Sequence, residues 1–116
     1  MIIYIGFSRR THKLSGRILC RDFKHCAPVV ITKHGYNIYQ FTKYNQITII
    51  RIKKRDITIL EKYGWRFVKY NLQTFPKNAV HIHALTCVMF TKKFCGIKQA
   101  NIQTPDALLK YVSKKH

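Results

Sequence analysis

The chain has 116 residues, 47% hydrophobic and 13% aromatic, which excludes a disordered polymer and leaves room for one compact domain spanning 1–116 but not two. Lys and Arg number 22 against four acids, a formal charge of +18 that attracts polyanions such as nucleic acid, anionic lipid, acidic cell-wall polymer or a negative protein face. No apolar run is long enough to span a membrane. The start, MIIYIGFSRR, is broken by Gly6 and meets Arg9 and Arg10 too soon for a secretion signal, so the expected location is the cytoplasm of the producing cell.

In chain order, Ile2-Ile3-Tyr4-Ile5 predicts a short buried strand ended by Gly6, and residues 11–20 predict one or two helical turns with Leu14, Ile18 and Leu19 on one side. His25-Cys26-Ala27-Pro28-Val29-Val30-Ile31 predicts a buried strand, with Pro28 at an edge or non-bonded position because it has no amide hydrogen. A turn at His34-Gly35 returns residues 36–42 antiparallel, forming a hairpin. Residues 46–52, dense in β-branched side chains, predict a strand. Asp56 is placed to cap a short helix over 57–63, terminated by Gly64, and the alternation of 65–72 predicts another strand. After a polar connection over 73–80, residues 84–95 predict a helix ended by Gly96. Val88, Met89, Phe94 and Cys95 are expected on its buried side and Lys92 and Lys93 on its wet side. Thr104-Pro105-Asp106 supplies an N-cap, an N1 proline and a first-turn acid for a last helix, buried through Leu108, Leu109 and Val112, with residues 113–116 fraying. The expected class is α+β, a small antiparallel sheet packed against a Cys-bearing helix.

Cys87 falls in the first turn of its helix, where the positive helix end and unpaired amides favour the thiolate, and its own N–H is a first oxyanion donor. A thiolate nucleophile needs a proton acceptor, and His25 begins a strand from which its ring can project toward a helix on the sheet. Counting back from the hairpin turn puts Gln40 near Val29 and on the face of His25, where its carbonyl can orient the imidazole. Other readings stay open on the residues alone. Cys87 can be a small buried hydrophobe, His25 a core or edge histidine, and Gln40 a solvent-facing strand residue. His81 and His83, just ahead of the cysteine helix, are rival bases. Cys26 should point to the face opposite His25, and Cys95, near a helix C-terminus, reads as structural. Four cysteines without a CxxC pair read as thiols, and a zinc set drawn from Cys20, His25, Cys26, His81 and His83 has no familiar spacing.

Three segments carry a resemblance: FKHCAPVVI; Leu60-Glu61-Lys62-Tyr63-Gly64 leading to a strand; and LTCVMFTKKFCGI followed by Thr104-Pro105-Asp106-Ala107-Leu108-Leu109-Lys110-Tyr111. With a histidine strand ahead of a cysteine helix, the chain resembles the circularly permuted papain-like (NlpC-like) cysteine hydrolases. It is most similar to small proteins encoded by phages and prophages, and the likeness spans nearly the whole chain. The resemblance implies a permuted papain-like fold with Cys87 as nucleophile, His25 as base and Gln40 in the third position, where relatives more often carry an acid. It implies a cysteine amidase or peptidase acting on a peptide or peptidoglycan stem amide, with no metal or organic cofactor, and packaging in a phage particle as a second location. The alternative is a non-catalytic basic phage structural or accessory protein that binds DNA or an acidic virion partner. Against that stand the scatter of Lys33, Lys43, Lys53, Lys54, Lys62, Lys69 and Lys77 and a composition typical of AT-rich coding. No helix-turn-helix, finger or ribbon signature marks sequence-specific DNA recognition.

Overall fold

The computed structural model describes residues 1–9, 23–42 and 46–114. They form β1 (Ile2–Ser8), β2 (His25–Ile31), β3 (Gly35–Phe41), β4 (Ile47–Lys53), α1 (Asp56–Lys62), β5 (Trp65–Asn71), a 3-10 turn at Ala79–His81, α2 (Cys87–Cys95) and α3 (Pro105–Lys114). The helix expected over 11–20 lies outside the described residues. The strands make one antiparallel sheet in the order β4-β3-β2-β1-β5, so the architecture is α+β as the patterning implied.

Alternation divides the sheet into two faces. Ile3, Ile5 and Phe7 of β1, Cys26 and Val30 of β2, and Tyr39 and Phe41 of β3 face the main core. There α2 packs chiefly on β2 and α3 on β5. Phe90, Leu108 and Val112 are fully buried between helices and sheet, each contributing about 1.5–3 kcal/mol through removal from water. The opposite face is thinner. The link from β4 to β5 must pass from one edge of the sheet to the other, and α1 carries it across with Leu60 packed on the cluster of Ala27, Val29 and Ile38.

Several expectations are corrected. The two-residue turn of the β2–β3 hairpin is Lys33-His34, closed by Thr32 N–H to Gly35 O at 2.9 Å and Gly35 N–H to Thr32 Oγ1 at 3.1 Å. Gly35 therefore opens β3 instead of sitting in the turn. It is glycine because the chain runs against β4 there: a Cβ would lie 2.1 Å from Ile52 O. Pro28 sits in a central strand, not an edge, but at a non-bonded position, the other place expected for it, and its missing amide hydrogen shows in the ladder. Pairing of β2 with β3 covers only Val29↔Ile38 to Ile31↔Tyr36 and stops next to Pro28, whereas pairing with β1 continues to Ser8↔His25. In α1, Asp56 is the first helical residue and accepts from Lys53 N–H at 2.9 Å instead of capping from outside. Gly64 takes the expected positive φ, 96°. The cysteine helix is shorter than expected, starting at Cys87, because the Thr86 hydroxyl accepts from Met89 N–H at 3.1 Å and closes its N-terminus. Its buried side is Val88, Phe90, Thr91, Phe94 and Cys95, while Met89 is exposed. Lys92 is half-buried, its ammonium donating to Gln99 O and Ile102 O and tying down the loop that leads to α3.

Gly35→Ala is expected to cost at least about 1–3 kcal/mol, because the obstructing atom is a backbone carbonyl that cannot rotate aside. Urea unfolding should show the loss as a lower midpoint with an unchanged slope.

Candidate active site

Helix α2 begins directly above the start of β2, and that junction brings three residues together. Cys87, the first helical residue, is half-buried and packs against the core cluster that contains the fully buried Cys26. The Cys26 thiol, the His25 ring and the Cys26 backbone N–H are near enough to its sulfur to act on its charge. The sulfur is held as thiolate, lowered from 9.0 to about 4, first by the Cys26 thiol against the opposing effect of burial, then by the proximity and positive charge of the His25 ring. The helix N-terminus favours the anion further.

Thr91, one turn along α2 and fully buried, donates to Cys87 O at 2.8 Å and accepts from Cys26 Sγ at 3.6 Å. The single thiol proton of Cys26 thus has two acceptors in reach, Thr91 Oγ1 and the Cys87 sulfur. Burial, more than anything else, holds that proton on Cys26, whose pKa is raised well above its ordinary value. Cys95 is buried at the far end of the helix, and desolvation pushes it up to about 12. Capping uses Met89 N–H, and Thr86 O accepts from Phe90 N–H, leaving the Cys87 and Val88 amides outside these bonds.

His25 reaches the sulfur by an unexpected route. Alternation puts it on the sheet face opposite α2, as Cys26 occupies the near face. Being the first residue of β2, it sits at the end of the sheet, where its ring meets Cys87 past the strand terminus while its Nε2 is screened from solvent. On its own face the ring stands edge-on to Trp65, with centroids 6.2 Å apart at 87°. Both residues pair with Ser8 of β1 from opposite sides. The small Ser8 and Gly6 between them leave room for the indole, and a Cβ on Gly6 would meet Trp65 Cζ3 at 2.9 Å. The lead-in to β2 is anchored by Phe23 N–H donating to Asp106 Oδ1 at 3.1 Å and by the Arg9 guanidinium 4.8 Å above the Phe23 ring.

Of the three residues expected from sequence, Cys87 and His25 therefore meet. Gln40 stands on the His25 face of β3, paired with Thr48, but the hairpin register is displaced by two from the one counted. Val29 faces Ile38, which leaves Gln40 level with Ala27, beyond the end of the β2–β3 ladder. The ring contact at the imidazole is with Trp65. His81 and His83 are exposed, and His83 O accepts from Lys93 Nζ at 2.6 Å. The histidine at the sulfur is His25. Cys26 and Trp65 were missed as site residues. Adjacency to His25 marks Cys26 in the sequence, but only knowing which face carries the helix shows that its thiol meets Cys87.

Among the described residues, no three His, Cys, Asp or Glu side chains are grouped to hold a metal ion, and no helix is long and apolar enough to cross a membrane. A cleft of about 250 Å³ lies between Tyr39, Ile49, Phe75, Lys77 and His81, and none of Cys87, His25 and Cys26 lines it. No protein family matches the chain, and no curated protein or solved structure is detectably similar to it.

The sign of the Cys87 shift fixes a pH dependence. A depressed folded value means that the thiolate's contribution to stability is complete above 9.0 and lost as the pH falls through about 4. Alkylation of Cys87 by iodoacetamide should accordingly stay near its plateau from neutral pH down to the region of 5 and fall only near 4, where an ordinary thiol loses roughly tenfold per pH unit. His25→Ala is expected to move that midpoint up by about 1–3 pH units, read from the pH–rate profile of labelling at Cys87.

Proposed function

We propose that the protein is a thiol hydrolase of the permuted papain-like kind, acting on an amide bond. The observation that carries this reading is the convergence of the His25 ring and the Cys26 amide on the sulfur of Cys87 at the first position of a capped helix. Its order of elements, histidine strand ahead of cysteine helix, supports the permuted fold. In the reaction, the Cys87 thiolate attacks the amide carbonyl carbon while the Cys87 and Val88 N–H groups receive the oxyanion. The His25 ring protonates the departing nitrogen as the carbon–nitrogen bond breaks, and then takes a proton from the water that cleaves the thioester. Trp65 stands edge-on to the imidazole and limits its rotation without offsetting any of its charge. Leu85 and Met89, 77% and 37% exposed, flank Cys87 in the chain and offer an apolar rim to the acyl side of a peptide or peptidoglycan stem substrate.

A panel of peptide amides and peptidoglycan fragments tests the proposal. Turnover should fall to background in Cys87→Ala and His25→Ala. A Cys87 no more reactive than a free thiol would sink the enzyme reading.

The +18 charge favours a second reading, in which the fold serves as a basic scaffold for DNA or an acidic particle protein. Arg51, Lys53, Lys54 and Arg55 stand exposed in succession along and just beyond the edge strand β4. If six or more phosphates are contacted, duplex DNA affinity should drop about 10³-fold or more between roughly 50 and 200 mM salt. Salt-independent binding over that interval removes this reading.

A further inference from the structure

Cys26 is a second thiol at the site that amide hydrolysis does not consume. It is fully buried, so no solute reaches it directly, yet its sulfur is directed at Thr91 of α2. Its sulfur lies 3.6 Å from Thr91 Oγ1, and that same hydroxyl holds the Cys87 carbonyl at 2.8 Å. Thr91 thereby keeps the backbone of one cysteine and the sulfur of the other in a fixed relation. The two side chains are also close enough to act on each other's charge, and Cys87 packs on the cluster that holds Cys26. Cys87 is half-buried and is the member of the pair that a small oxidant can reach. Cys95 stands at the other end of the nine-residue helix, eight residues from Cys87.

We propose that Cys26 and Cys87 form a reversible intramolecular disulfide, with Cys87 as the peroxide-reactive sulfur and Cys26 as the resolving thiol. The inference rests on Cys87 being the reactive nucleophile, as in the function proposed above. In the first step the Cys87 thiolate attacks one oxygen of hydrogen peroxide. A sulfur–oxygen bond forms, the oxygen–oxygen bond breaks, and the departing hydroxide takes a proton from the medium to leave as water. In the second, the Cys26 sulfur attacks the Cys87 sulfenic acid. The sulfur–sulfur bond forms as the sulfur–oxygen bond breaks, and the Cys26 proton leaves with the hydroxyl as a second water. Each sulfur gives up one electron, and the peroxide takes up two. A disulfide requires sulfurs about 2.05 Å apart, closer than any unbonded pair, so closure draws the Cys87 sulfur inward onto Cys26. The bond occupies the nucleophile, and a dithiol reductant restores it. A resolving thiol in contact also spares Cys87 from irreversible over-oxidation to the sulfinic acid.

The test is hydrogen peroxide treatment of the reduced full-length chain, followed by intact mass and non-reducing peptide mapping. The expected product is lighter by two hydrogens, carries a single cross-link between the peptides of Cys26 and Cys87, and reverts with dithiothreitol together with its iodoacetamide reactivity. In Cys26→Ser the mass should instead rise by one oxygen on Cys87, trapped by dimedone, and then by two. Wild-type protein that gains oxygen on Cys87 without losing two hydrogens overturns the disulfide while leaving the nucleophile intact. A cross-link from Cys87 to Cys20 or Cys95 overturns the assignment of Cys26. No change of mass at either cysteine removes both this inference and the reactive Cys87 on which it rests. Should Cys26→Ser fail to fold, the wild-type peptide map decides alone.

Discussion

The contact between the first turn of α2 and the first two residues of β2 determines what the molecule can do. A sulfur anion in a half-buried position is costly unless donors surround it. Here they come from two consecutive residues, the ring of His25 and both the amide and the thiol of Cys26. None of these donors is local to the helix that bears the sulfur. Thr86 fixes where the helix starts, and Phe23 N–H, held by Asp106 of α3, fixes how the chain enters β2. A displacement of either end by one residue would exchange the donors for other groups.

Two adjacent strand residues ordinarily serve opposite faces, and that makes a joint approach of His25 and Cys26 to one atom unusual. The sheet resolves this by ending there. Pro28 has no hydrogen to continue the β2–β3 ladder, so only β1 still holds residues 25–27 in a ladder. Cys26 meets the sulfur from beneath the helix and His25 from the strand terminus. Trp65, laid over Gly6 and against the imidazole, backs the ring on its far side. A rigid ring contact limits rotation of the imidazole without contributing charge, a different kind of positioning from the carboxylate that usually occupies that role.

Much of the architecture was legible in the chain because each element carried its own punctuation. The Thr104-Pro105-Asp106 start, the Gly64 and Gly96 ends and the alternation in β5 all act within a few residues of themselves. Thr86 was equally local, yet the apolar Ala84 and Leu85 before it read as helix, since patterning cannot tell an extended lead-in from a first turn. The Cys87–His25 pairing could be drawn from helix-end electrostatics and strand placement. Register and facing could not. Gly35 looked like a turn residue because its true constraint, the Ile52 carbonyl, belongs to a strand 17 residues away. Cys26 was set apart because period-two alternation assigned it correctly to the face away from His25, while only the packing of α2 shows that this is the face of Cys87. Trp65 depends on the β1–β5 pairing, which closes across more than half the chain.

Among the described residues, three cysteines of identical chemistry end up in three states, and burial alone does not sort them. Cys95 and Cys26 are both buried, and desolvation raises both thiols. Cys87 is desolvated too, yet its pKa falls, because donors outweigh the loss of water. The difference between Cys26 and Cys87 lies in their surroundings. Burial holds the proton on Cys26, while the Cys26 thiol and the imidazole stabilise the anion on Cys87. A thiol–thiolate pair arranged this way is asymmetric before any reagent arrives. The anion lies on the half-buried side and the proton-bearing partner behind it in the core.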